Sequence, residues 1–280
     1  MKTKLYHIAL SAVAVAMSLT SCVKDELFNT PYPDYGRVYV TTDWSGRSSE
    51  ASIPDSYTIQ IGDKTQQANG ENNLFEPLLT PGHHKLMMYN SPQDITVDGT
   101  VASVRPTADG ISPMPGYLFA SLQDINVQAD DTLKVAATMQ QYVRRIDIEL
   151  TVKEGDHDRV ASVSASLSGV ASKVDMTTFE YSNPSTATNA MANDGYKFTV
   201  SFRLLGIVPS ATNTLVVNVQ FTNGETQTIV SDLSGLLRGF NKTVEPLKLT
   251  GELFLPIQGG ASGTINGWTK VDGGNINAEV

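Results

Sequence analysis

Cysteine is nearly absent from this chain of 280 residues, which holds one, Cys22. A single thiol excludes an internal disulfide framework and a cysteine-based zinc site, so stability has to come from burial and hydrogen-bonded sheets. Histidine is almost as scarce. Beyond residue 21 only His83, His84 and His157 remain. No nucleophile-elbow glycine pattern accompanies them, so neither a Ser-His-Asp nor a Cys-His device is legible. Basic runs are missing as well. With Lys+Arg 20 against Asp+Glu 29 the net charge is -9, and without clustered Lys and Arg nucleic acid is excluded as a partner. Helical periodicity is slight, and no segment after Cys22 is apolar for the roughly 20 residues that a membrane helix needs.

What the sequence does have begins at its amino end. Lys2 and Lys4 precede an apolar run from Ile8 to Leu19, and Thr20-Ser21 supplies small residues directly before Cys22. The order is that of a secretory signal with a processing site. Its Leu19-Thr20-Ser21-Cys22 ending resembles a bacterial lipobox. That resemblance implies removal of residues 1–21, a diacylglyceryl group on the Cys22 sulfur, and acylation of the new amino terminus. Several acyl chains make a stable anchor, since each buried methylene contributes about 0.8 kcal/mol. The run is short for a spanning helix, and charged Lys24, Asp25 and Glu26 follow it at once. The Lys24-Asp25-Glu26 triplet resembles the export signal that sends lipoproteins of the Bacteroidales to the outer face of the outer membrane. Losing Lys2 and Lys4 with the signal leaves the chain two units more negative. Residues 22–35, with Pro31 and Pro33, read as an extended lipidated spacer.

From residue 36 the period becomes two. Val38, Val40, Thr42 and Trp44 alternate with Tyr39 and Thr41, which is a strand with one inward face. Further strands are expected at Tyr57 to Ile61, His84 to Asn90, Val101 to Val104, Tyr117 to Ser121 and Thr132 to Met139. Asp63 to Asn73 reads as a mobile polar loop. The second half is expected to hold its longest strand at Tyr142 to Val152, then Val160 to Leu167, Phe198 to Leu204, and a hairpin of Leu215 to Phe221 with Thr226 to Val230 around Asn223-Gly224. Residues 182–194 read as a loop and Asp232 to Phe240 as a short helix capped by Asp232. Leu247 to Leu255 and Thr264 to Val271 close the chain. About seven strands per half, with turn signals between them, fit an all-β protein of two tandem antiparallel sandwiches, 36–138 and 139–280.

Chemistry is hard to find. His83 and His84 flank a turn and read as surface residues, and Glu154-Gly155-Asp156-His157-Asp158 lacks the spaced ligands of a calcium loop. Gly259-Gly260 and Gly273-Gly274 open no helix and follow no phosphate-cradle spacing. No cofactor and no metal are implied, and no catalytic residue is assigned. Trp44 and Trp268 are expected in sandwich cores; exposed together, they would instead make the aromatic platform of a monomeric glycan-binding lipoprotein. Asp131-Thr132-Leu133 resembles an O-glycosylation motif of the Bacteroidales, although a plain turn into a strand is the better reading of Thr132.

Taken in order, these landmarks resemble the FimB-like fimbrial anchor and fimbrillin families of the Bacteroidales. The resemblance rests on Cys22 with Lys24-Asp25-Glu26, Val38-Tyr39-Val40 leading to Trp44, and the Leu79-Thr80-Pro81-Gly82 turn into Leu86 to Asn90. Met139-Gln140-Gln141, Leu167-Ser168-Gly169-Val170 and the terminal Trp268 strand complete it. It implies two transthyretin-like sandwiches, no enzymatic activity, an outer-membrane lipid tether at the cell surface, and other fimbrial subunits as partners, with a surface ligand of the host or of another bacterium as a further partner. Polymerising members lose a first strand to cleavage after Arg and receive a neighbour's C-terminal strand in its place, whereas anchors keep both lipid and strand. By position, Val38 to Trp44 is that strand, Arg37 and Arg47 are the arginines beside it, and Thr264 to Val280 is the donor end. Asp272 to Val280 is short and Gly-rich, which favours an anchor or accessory role.

Overall fold

The computed structural model describes residues 32–155, 157–255 and 263–271. Among them the fold is all-β: strands and two 3₁₀ turns, His157–Arg159 and Phe240–Lys242, without an α-helix. No helix of the described residues is long and apolar enough to cross a membrane.

The chain opens with β1 (Gly36–Asp43), β2 (Tyr57–Ile61), β3 (Lys64–Ala68), β4 (Asn72–Leu79) and β5 (Gly82–Tyr89). Next come four short strands, β6 (Ile95–Asp98), β7 (Val101–Val104), β8 (Pro106–Thr107) and β9 (Gly110–Ile111), then β10 (Phe119–Val127), β11 (Thr132–Thr138) and β12 (Gln140–Gln141). A three-stranded sheet, β11-β1-β4, faces a five-stranded one, β12-β10-β5-β2-β3. Val38 and Val40 from one sheet and Ile59, Leu86, Met88 and Phe119 from the other meet in a single core. Burying each such side chain contributes about 1.5–3 kcal/mol, which is what the period-two pattern encodes.

The second sandwich uses β13 (Arg144–Glu154), β14 (Val160–Asp175), β15 (Glu180–Ala190), β16 (Ala192–Asn193), β17 (Lys197–Leu204), β18 (Thr214–Phe221), β19 (Thr226–Asp232), β20 (Leu247–Phe254) and β21 (Thr264–Val271). Its sheets are β16-β17-β13-β20-β21 and β19-β18-β14-β15-β9-β8, and β7 and β6 extend the latter beside β14. Ile146, Ile148 and Leu150 pack there against Leu167, Phe202 and Val217. The segment from β6 to β9 precedes β10 in sequence yet pairs with β14 and β15, and its Ile95, Ala102, Val104 and Ile111 lie in the second core.

Four expectations are corrected. Residues 182–194 are not a loop: β15 runs through them, paired along β14 from Asp175↔Glu180 to Ser164↔Ala190. Small polar side chains conceal it, because only Ala187 of β15 is buried and the outward face is Ser, Thr and Asn. Asp232 to Phe240 forms no helix. The Asp232 carboxylate caps a turn by accepting from the Ser234 backbone and hydroxyl at 2.8 and 2.6 Å, and Gly239 sits at φ 89. Asp63 to Asn73 is not a loop throughout, since β3 occupies Lys64–Ala68 and pairs with β2. The longest strand of the second half is β14, at 16 residues, rather than the one beginning near Tyr142. The hairpin at Asn223-Gly224 is present: β18 and β19 pair from Gln220↔Thr226 onward, with Gly224 at φ 87.

Candidate functional site

The first strand is central in its sheet. β1 runs parallel to β11 from Arg37↔Thr132 to Asp43↔Thr138 and antiparallel to β4 on its other edge. Val38 and Val40 are fully buried and Thr42 nearly so, while Tyr39, Thr41 and Asp43 face outward. Gly36 is required where the strand starts, because a Cβ there would lie 2.3 Å from the Gln128 carbonyl oxygen. Just past the strand Trp44 fills the core, edge-on to Tyr57 and Phe119 at 5.8 and 5.5 Å, with its Nε1 donating to Thr42 Oγ1 at 2.9 Å.

The loop after β1 is fastened to the second half of the chain. Arg47 is exposed, but its Nε donates to the Ala51 carbonyl and a terminal nitrogen to the Trp44 carbonyl, both at 3.1 Å. Ser48 is fully buried, and its backbone N donates to Gln141 Oε1 at 2.7 Å. The Ser49 hydroxyl donates to Glu245 at 3.0 Å. Glu50 accepts from Arg145 at 2.7 Å and from the Tyr117 hydroxyl. Arg145 also bonds Asp147 at 2.8 Å, and the Arg203 guanidinium lies 5.2 Å from the Tyr117 ring centre.

This clamp has a pH signature. Burial first, then the hydrogen bond and charge of Glu50, push the Tyr117 hydroxyl well above its ordinary value. A raised folded pKa gives stability that is full below the unfolded value of about 10 and is lost as pH rises through the folded one. Buried Tyr142 acts in the same direction. Stability measured by urea unfolding is therefore expected to fall from pH 10 upward, and Tyr117→Phe to flatten that fall. An unchanged alkaline slope in the variant would contradict the assignment.

The sequence-derived sites sort unevenly. Cys22, Lys24, Asp25 and Glu26 lie outside the described residues, as do 272–280. Arg37 sits inside the ladder, half-buried, its backbone N donating to Asp131 at 2.9 Å. The described part of the expected donor end, β21, is paired with β20 in its own sheet. Its hold is light: Ile265 is its one buried residue, Trp268 is partly buried with Nε1 donating to Ser231 at 2.8 Å, and most of the rest is exposed. The two tryptophans thus serve separate cores and form no shared platform. His84 bonds the Thr80 carbonyl at 2.7 Å, and His157 lies against Tyr196. Among the described residues no cluster of His, Cys, Asp or Glu is placed to hold a metal. The clamp itself was missed in the sequence, because Ser48, Glu50, Gln141 and Arg145 are joined across some 90 residues with no local pattern.

The all-β fold of the described residues is shared by solved structures of Bacteroides and Porphyromonas proteins. A candidate adhesin from Bacteroides ovatus matches with a TM-score of 0.60 at 13% identity, over 81% of this chain and 93% of that one. The fimbrial anchor protein Mfa2 from Porphyromonas gingivalis matches with 0.60 at 11% identity, over 84% and 97%. A candidate polysaccharide-binding protein from Bacteroides thetaiotaomicron matches with 0.57 at 10% identity, over 85% and 98%. At such identities these are likenesses of fold. The chain belongs to the family of fimbrillin-A associated anchor proteins Mfa1 and Mfa2, whose sequence model matches residues 55–273. No curated protein sequence matches it.

Proposed function

We propose that this protein is a non-enzymatic anchor or accessory subunit of a surface fimbria, tethered in the outer membrane by lipid on Cys22 and joined to other subunits by strand exchange. The observation that carries the anchor role is the captivity of β1. Cleavage by an arginine-specific protease needs an extended, accessible backbone. Arg37 is instead laddered between β11 and β4, and Arg47 is curled into a turn whose next amide is buried on Gln141. Losing β1 would also strip the central strand and two buried valines from the first core. A chain that keeps this strand keeps its lipid, and so serves as a base.

The C-terminal end is suited to exchange. One buried isoleucine and a partly buried tryptophan hold β21, and the register breaks between Thr250 and Glu252. Main-chain bonding to another subunit replaces the bonding given up at β20, which is the economy of strand addition.

A palmitate-analogue label tests the reading. Labelling is expected on the full-length chain with β1 in place, to vanish in Cys22→Ser, and to survive removal of residues 264–280. That truncation is expected to abolish detergent-resistant association with other subunits. Unlabelled wild type, or label confined to a fragment ending at Arg37 or Arg47, would sink the anchor reading.

A further inference from the structure

An open cavity of about 620 Å³ lies at the start of β1, lined by Tyr32, Tyr35, Arg37, Asp130, Asp131 and Lys134 among others. Its size is within the range of small-molecule sites, about 300–1,000 Å³. The walls are held by the backbone. Tyr32-Pro33-Asp34-Tyr35 is a turn closed by the Tyr35 N donating to the Tyr32 carbonyl at 3.2 Å, with proline at its second position. The Asp130 N donates to the Tyr35 carbonyl and the Arg37 N to the Asp131 carbonyl, each at 2.9 Å. Asp130 itself adopts φ 54, a left-handed conformation uncommon outside glycine. The backbone of the turn is therefore held at Tyr32 and Tyr35, whose residues are 46% and 42% exposed.

The lining chemistry restricts the ligand. Arg37 and Lys134 only donate hydrogen bonds, and the carboxylates of Asp130 and Asp131 only accept them. Two charges of each sign leave the cavity without net charge, so neither a phosphate nor a divalent cation is favoured over water. A ligand that satisfies both sets must donate and accept from the same groups, as hydroxyls do. Exposed aromatic faces add surfaces for C–H stacking. Leu78 is the one aliphatic side chain in the lining, which offers a peptide no pocket for its side chains.

We propose that this cavity binds a neutral saccharide, with the rings of Tyr32 and Tyr35 against pyranose faces and Arg37, Lys134, Asp130 and Asp131 on its hydroxyls. The site does not depend on the fimbrial reading, since it needs neither lipid nor strand exchange.

Titration of the full mature chain with neutral oligosaccharides of two to four units, containing mannose, galactose, glucose or N-acetylhexosamine, tests it by amide NMR. Expected are shifts confined to residues 32–37 and 130–134, and a tenfold or greater loss of affinity in Tyr35→Ala and in Lys134→Gln, with Trp44 emission unchanged in both. Parallel arms with the cell's own surface polysaccharide and with mucin oligosaccharides separate a self ligand from a foreign one, either of which supports the site. No shift with any saccharide, undiminished binding by both variants, or stronger binding of inorganic phosphate or of a tetrapeptide pool would overturn it.

Discussion

Val40→Asp is expected to unfold the first sandwich and leave the second standing. Val40 is fully buried in the middle of β1, between Val135 of β11 and Asn73 of β4, and among the described residues the one buried cationic side chain, Arg144, belongs to the second half of the chain. A carboxylate there must be buried unpaired or take up a proton, and either route costs about 4 kcal/mol or more, a large share of a domain's stability. The two tryptophans separate the outcomes. Trp44 reports the first core and Trp268 the second, so in a urea titration the Trp44 signal should already be that of an exposed indole without denaturant. Thr41→Asp, one residue away on the outward face, is expected to cost less than about 0.5 kcal/mol. Equal effects of the two substitutions would refute the facing assigned to β1.

Arg144→Met is expected to destabilise the second sandwich by about 3 kcal/mol. The Arg144 side chain is buried, and its guanidinium donates to the carbonyls of Thr243, Tyr142 and Leu205 at 2.7, 3.0 and 3.1 Å. These belong to the loop before β20, the lead-in to β13 and the end of β17, so one side chain ties together three crossings at one end of the sandwich. Methionine keeps much of the volume and removes every donor. Each buried carbonyl left without its partner costs about 1–3 kcal/mol, partly offset because a buried cation no longer has to be desolvated. With a urea dependence of about 1–3 kcal/mol per molar, the Trp268 transition should move down by about 1–3 M. A shift below about 0.3 M would mean that water replaces the guanidinium at no cost.

The strands legible in the sequence were those with a strict two-residue period and large inward side chains. Val38 to Thr42, Phe198 to Leu204 and Leu215 to Phe221 are of this kind, and each appears where it was expected. β15 escaped because its stability comes from pairing with β14 rather than from its own apolar face; Ser166 and Thr188, for example, share a hydrogen bond at 2.9 Å. The supposed helix at Asp232 shows the opposite error. A capping residue ahead of Leu233, Leu236 and Leu237 imitates a helix start, but Gly235 and Gly239 allow turns that bury Leu233 and Leu237 equally well. The pairing of β6 to β9 with the second sheet is invisible locally, since no residue in those strands encodes a partner some 70 residues away. The candidate site was half legible. Arg37, Arg47 and β1 could be read from the chain, whereas the clamp and the tyrosine-lined cavity exist only once distant loops meet.

The central position of β1 also sets how the molecule carries force. Under the proposed tethering, with the amino end held and the far end pulled, tension enters at Gly36 along the axis of a strand bonded on both edges. Sheet hydrogen bonds lie across that axis, so the load falls on all of them at once in shear, instead of peeling them apart singly from an edge. Rupture under load is governed by the unfolding rate, and a strand that must slip past two neighbours together unfolds slowly. The clamp at Ser48 to Glu50 then passes the load into the second sandwich, which makes β1 the strand that resists tension as well as part of the first core.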